Sequence, residues 1–124
     1  MVRLAICHDG ETVTRLDDLA KAEHLSSNFL VQILNDLRRA GLVASRRGKS
    51  GGYILAKAPE EIDLREITEA IEGSIFDTKE MGDAGTGKQV RLFWCEIANV
   101  LADTLGNKTL KDLMPDEEAP MFYI

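Results

Sequence analysis

Between Ser26 and Ala56 the chain reads SSNFLVQILNDLRRAGLVASRRGKSGGYILA, and this stretch constrains the fold more than any other. Ser26 suits an N-cap, and Leu25 before it can staple onto Leu30 one turn later. Phe29, Leu30, Ile33, Leu34 and Leu37 recur every three or four residues, the pattern of a single buried stripe on a helix. Gly41 stands where a helix closes in a left-handed residue, a conformation open to a residue without Cβ. Leu42 and Val43 then begin a strand, and Tyr53-Ile54-Leu55 make its partner. Between them Arg46-Arg47-Gly48-Lys49-Ser50-Gly51-Gly52 is a hairpin tip with three glycines and three cations.

The opposite face of that helix carries Asn28, Val31, Gln32, Asn35 and Arg39 at the same spacing, mostly amide or cationic. An amide side chain offers a donor and an acceptor side by side, which matches the major-groove edge of adenine. Cations on the adjoining hairpin suit phosphates or a narrow minor groove. A groove-sized helix followed at once by a basic two-stranded flap is the winged helix-turn-helix arrangement. The bland counterpart is a solvated helix face beside a glycine-rich hairpin; the two features in succession favour DNA.

The pattern S-x-x-F-L-x-x-I-L-x-x-L-R-x-A-G-L-V-x-S-x-R-G-x-x-G-G-Y-x-L-A resembles the Rrf-type family of bacterial winged-helix regulators. That family includes the iron–sulfur cluster regulator, the nitric-oxide-sensing repressor and the cysteine-metabolism repressor. The resemblance runs from about Leu4 to Leu113, and its most specific part is Ala40-Gly41-Leu42-Val43 followed by Arg47-Gly48 and Gly51-Gly52-Tyr53. It implies a mainly α fold with a small β wing, and a long C-terminal helix that forms a dimer seam. It also implies a first helix longer than VRLAICH, so the expectation is a late start or a truncated first helix.

With 124 residues the chain is one domain by size, with room for a modest core. No run approaches the ~18 apolar residues of a membrane helix, and no signal-peptide pattern opens the chain, so the expectation is a cytoplasmic protein. The net charge of −6 argues at first against nucleic acid. Divided by position, residues 1–58 hold nine Lys/Arg against six Asp/Glu, and residues 59–124 hold six against fifteen. From Leu37 to Ala58 there are six cations and no acid. Charge is screened over about 8–10 Å in physiological salt, so the local patch decides contact.

Along the chain, VRLAICH is a short helix ended by Asp9-Gly10. Thr12-Val13-Thr14 is a short strand, and Thr14 with Asp17 can make a capping box for a second helix reaching Ala22. Glu23-His24-Leu25 is the turn of the helix-turn-helix, with His24 a turn residue. After a linker at Pro59-Glu60-Glu61, Asp63 and Glu66 form a capping box for a fourth helix ending at Gly73, with Ile62 stapled to Ile67. Residues 74–88 lack periodicity and read as a flexible loop. From Lys88 to Leu105 a long helix carries Val90, Trp94, Ile97, Leu101 and Leu105 on one stripe, widened by Leu92 and Phe93; Gly106 stops it. Thr109 caps a short terminal turn, Pro115 ends it, and residues 115–124 are a tail.

No enzyme is visible. Ser50-Gly51-Gly52 lacks the strand-to-helix setting of a nucleophile elbow, and Val43 stands where a P-loop needs its first glycine. The acids from Glu60 to Glu72 read as a solvated face. In the sensing relatives, three cysteines after the fourth helix hold an iron–sulfur cluster; the equivalent FDTKEMGDAGTGKQ has none, so no cofactor is expected. Cys7, His8, His24 and Cys95 lack zinc-ligand spacing, and the two cysteines are too far apart in sequence for a disulfide framework. Arg91, four residues before Cys95, is the one feature favouring a reactive thiol; the expectation is that both cysteines are structural.

The sequence therefore describes a winged helix-turn-helix DNA-binding domain over 1–73, a flexible loop over 74–88, a dimerisation helix with a short terminal helix over 89–114, and a tail. The expected function is a homodimeric, sequence-specific repressor on a pseudo-palindromic site in double-stranded DNA, with a small-molecule or protein effector left open. The candidate DNA contacts are Ser26, Ser27, Asn28, Gln32, Asn35, Arg39, Arg46, Arg47, Gly48 and Lys49. Val90, Trp94, Ile97, Leu101 and Leu105 are the candidate dimer contacts. The reading from another class is a winged helix used as a protein–protein adaptor.

Overall fold

Leu30, Leu34 and Leu37 lie buried along one side of α3 (Ser27–Arg39) in the computed structural model, which describes residues 1–74, 77 and 84–116. Ile33 is half-buried, but Phe29 is 53 % exposed, so the predicted stripe loses its aromatic. The cause is angular: at about 100° per residue Phe29 falls well to one side of the line through the three leucines. Ser26 caps the helix as expected, its hydroxyl accepting from the Phe29 N–H at 3.2 Å.

The far end of α3 closes on Gly41, whose φ is +77°. Gly41 N–H donates to the Arg38 carbonyl and Leu42 N–H to the Leu37 carbonyl, both at 3.0 Å, the paired bonds of a Schellman stop. Leu37 and Leu42, each 1 % exposed, meet under it. The chain leaves directly into β1 (Val43–Arg46), which pairs antiparallel with β2 (Gly52–Leu55) in the register Val43 to Leu55 and Arg46 to Gly52. Arg46 and Gly52 thus belong to the strands and the tip is shorter than the sequence suggested.

An isolated bridge joins the wing from far away in sequence. Thr14 and Tyr53 exchange two backbone hydrogen bonds of 2.8 Å, so the segment before α2 (Leu16–Glu23) forms an edge on the wing. The predicted Thr14/Asp17 capping box is therefore not made; Arg15 is the N-cap and no side chain caps α2. The helix ends at His24 in the left-handed region with φ 54°, and Leu25 N–H reaches the Ala20 carbonyl at 3.0 Å. The turn of the helix-turn-helix is thus closed in the same way as α3.

α1 (Val2–Ile6) is shorter than expected and buries Leu4 and Ala5. A 3-10 turn at Pro59–Glu61 leads to α4 (Leu64–Glu72), which has its capping box: Asp63 accepts from Glu66 N–H at 2.8 Å and Glu66 from Asp63 N–H at 3.1 Å. That backbone N–H, then Lys57 at 3.0 Å, holds the Glu66 carboxyl below its ordinary pKa. α5 (Gly87–Gly106) starts one residue before Lys88 and runs through Gly106, which stays helical; the stop falls at Asn107.

A last 3-10 turn, Leu110–Leu113, has the Thr109 cap and places Leu110 at 0 % exposure beside Ile62. Leu110 N–H donates to the Ile62 carbonyl at 2.8 Å, and Leu64 N–H to the Lys108 carbonyl at 2.9 Å. The segment after α5 thus shares one core with α1, α3 and β1. Most of the predicted flexible loop (residues 75, 76 and 78–83) and residues 117–124 of the predicted tail lie outside the described residues. Among the described residues no helix is long and apolar enough to cross a membrane.

Gly52 is the point where the segment carrying Thr14 and the wing touch. A Cβ there would stand 2.7 Å from the Thr14 carbonyl carbon, backbone against backbone. Gly52→Ala should therefore cost about 1–3 kcal/mol in denaturant unfolding, as overpacking does, and strip hydrogen-exchange protection from the Thr14 and Tyr53 amides. Unchanged stability and protection would show that the Thr14–Tyr53 bridge is not held by this contact.

Candidate nucleic-acid interface

Because α3 spends one face on its three leucines, the residues half a turn away must look outward. Asn28, Gln32 and Arg39 are exposed and Asn35 is half-buried, so the amide face predicted from spacing is present as a surface. Val31 on its margin is half-buried. Ser26 spends its hydroxyl on the N-cap, and Ser27 is half-buried in the first turn. Arg39 is paired with Asp36 at 3.3 Å while its side chain stays 77 % exposed, a contact worth little in water and readily exchanged for another anion.

The wing stands next to this face. Arg47, Gly48 and Lys49 are exposed at its tip, where Gly51 N–H donates to the Gly48 carbonyl at 3.0 Å and Gly48 has φ +112°. Arg46 behaves differently from the sequence expectation. Its guanidinium donates to the Glu11 carbonyl at 3.0 Å, which ties the wing to the loop before α2.

Two cations that sequence reasoning left out come to the same place. Arg38, in the last turn of α3, reaches across the Gly41 turn and donates to Ser45 Oγ at 3.3 Å. Arg15 sits at the N-cap of α2. With Arg46 and Arg47 they line an open cleft of about 510 Å³ between the wing and α2. The signal for Arg38 was available in the acid-free run from Leu37 to Ala58. For Arg15 the only signal is the Thr14–Tyr53 pairing, which connects residues too far apart to be read locally.

The candidate assembly face is on α5, none of whose residues is buried. Trp94, Ile97, Leu101 and Leu105 are half-buried on the side of the helix that carries the predicted stripe, and Val90 is 49 % exposed. The most open apolar residues are Phe93 at 56 % and Val100 at 63 %. Phe93 and Val100, seven residues apart on one flank of the helix, extend the predicted stripe into an exposed band. The Phe93 and Trp94 rings meet edge to face, with centroids 5.7 Å apart, where the two bands adjoin.

Cys7 is exposed and Cys95 is half-buried. Cys7 borders a second cleft, of about 850 Å³, that also touches Arg46, Arg47 and Lys49.

Comparison with known proteins places this geometry among transcription factors. Residues 1–116 match the family described as Rrf2, iron-dependent transcriptional regulator. The HTH-type transcriptional regulator CymR of Bacillus subtilis is 38 % identical over all of this chain and 91 % of its own length. The HTH-type regulator IscR of Vibrio vulnificus is 33 % identical over 90 % of this chain and 68 % of its own. Among solved structures, that of B. subtilis CymR, described as the global cysteine regulator, superposes with a TM-score of 0.74 at 37 % identity, covering 90 % of this chain and 84 % of that one. Staphylococcus aureus CymR gives 0.72 at 32 % identity, covering 95 % and 91 %.

The word iron in the family's description raises the question of donors. A cluster of iron and sulfide is held by several thiolates. Residues 75–89 contain no cysteine, Cys7 and Cys95 are the chain's two, and among the described residues no group of three or more His, Cys, Asp or Glu could hold a metal. This donor set does not fit an iron–sulfur cluster.

Proposed function

This chain belongs to the Rrf2 family of transcriptional regulators, and from that premise we propose that it represses transcription as a homodimer with α3 in the major groove of a pseudo-palindromic operator. It is a DNA-binding regulator of the helix-turn-helix class and not an enzyme. The observation that carries the finer reading is the exposed Asn28–Gln32–Asn35–Arg39 face, set opposite the buried leucines and flanked by a basic wing. Asn28, Gln32 and Asn35 read base edges, with Ser26 and Ser27 at the helix start close to the backbone. Arg39 lies on the same face. Arg47, Gly48 and Lys49 track the backbone or enter the minor groove, and Arg46 holds the wing in place for them.

Two-fold assembly follows from α5. A continuous apolar band left open on a helix marks a protein contact, and an operator with two half-sites requires paired recognition helices about one turn, ~34–36 Å, apart. Val90, Phe93, Ile97 and Val100 form the centre of the seam, with Trp94, Leu101 and Leu105 supporting it from the half-buried side.

In a duplex selected from a random pool by the protein itself, Gln32→Ala should cost about 1–3 kcal/mol and relax the preference at one base position, whereas Arg47→Ala should weaken every sequence alike. Intact affinity in Gln32→Ala would misplace the reading face. Failure to enrich any sequence would point to an adaptor in place of an operator-binding protein.

Val100→Asp puts a charge in the middle of the proposed seam without touching the core. Sedimentation at micromolar concentration should show a dimer for the wild type and a monomer for the variant, with operator binding lost in the variant. A wild-type monomer, or a variant that remains dimeric, contradicts the seam.

A further inference from the structure

The cleft between the wing and the start of α2 draws arginines from three elements: Arg15 from the N-cap of α2, Arg38 from the end of α3, and Arg46 and Arg47 from the wing. Asp17 is the acid on its lining, so positive charge is in excess there. Gly51 and Gly52 form part of the wall, leaving it without side-chain bulk. Arg38 and Arg46 are each oriented by one hydrogen bond, to Ser45 Oγ and to the Glu11 carbonyl. A guanidinium has five N–H donors, so one such bond steadies the head and leaves the rest for a ligand. At α2 no side chain caps the first turn, and the free N–H groups of a helix start add partial positive charge.

We propose that this cleft seats a backbone phosphate of the bound DNA, with Arg15 and Arg38 as its contacts. The proposal rests on the reading that α3 enters the major groove and adds a second anchor to it, on the α2 side of the wing, made by residues that the amide face and the wing tip do not include. Guanidinium pairs bind phosphate oxygens through parallel N–H bonds, and such contacts fix the register of a protein on the duplex without reading sequence. Arg15 and Arg38 are therefore positioning residues: they set how deeply α3 sits, while Gln32 and its neighbours choose the base.

Fluorescence anisotropy of the full chain with its selected duplex and with an unrelated duplex, over a range of salt, tests this. Each phosphate contact contributes about −0.9 to the slope of log affinity against log salt. Arg15→Gln and Arg38→Gln should each flatten the slope by about that amount and weaken both duplexes by the same factor. Lys21→Gln removes a cation from α2 outside the cleft and should leave the slope unchanged. Ser45→Ala, which frees Arg38 without removing its charge, should also leave the slope unchanged. Asp17→Asn should tighten both duplexes, a gain that misfolding cannot imitate. An unaltered slope in Arg15→Gln, or an equal flattening in Lys21→Gln, overturns the proposal while the wild type still binds. Wild-type protein that binds no duplex overturns the DNA reading itself.

Discussion

The contact between Leu37 and Leu42 beneath the Gly41 turn is the constraint on which the rest depends. It fixes the end of α3 and the start of the wing as one unit, with one left-handed residue between them. A side chain at Gly41 would be strained by roughly 1–2 kcal/mol from its φ alone. More costly would be any change that let the wing swing, because Arg38 and Ser45 meet only while α3 and β1 keep this angle. The Thr14–Tyr53 bridge braces the same wing from the other side, and Arg46 adds a third tie through the Glu11 carbonyl. Ties from α3 and from the segment before α2 thus hold one short hairpin where its cations can act together.

Charge placement explains how a chain of net −6 serves as a DNA-binding protein. The acids gather after residue 59, while the end of α3 and the wing carry the cations. Within a screening distance of about 8–10 Å the surface around the wing is positive, whatever the sum. The acidic half lowers attraction to DNA at longer range, which disfavours loose binding more than docked binding. The affinity of such a protein should thus rest on a few well-positioned cations. Arg38 and Arg46 are set in that way, by hydrogen bonds to the Ser45 hydroxyl and the Glu11 carbonyl.

How much was legible in the sequence depended on how local each signal was. The α3 cap at Ser26, the stop at Gly41 and the Asp63/Glu66 box rest on residues within a few positions of one another and appear as read, and the strand pair is present with longer strands and a shorter tip. The errors come from long-range pairing or from angle. Thr14 looked like a cap because its partner Tyr53 is far away in sequence. Phe29 looked like core because it is apolar, although its angle carries it off the buried line. On α5 the helical period is present, but the half-buried stripe and the exposed band share one helix, and spacing alone cannot say which of two adjoining faces a neighbour covers. Arg15 had no local signature at all. The leucine stripe placed the amide face correctly, since burial of one side of a helix dictates the other.

The central claim, that α3 reads the major groove from both halves of a dimer, is tested most directly by methylation interference on the duplex the protein selects. Guanine N7 lies on the major-groove edge. Its methylation should block binding in two patches about one helical turn, ~34–36 Å, apart, with little effect between them. Binding that tolerates N7 methylation throughout, or a single patch without a two-fold mate, would contradict the account.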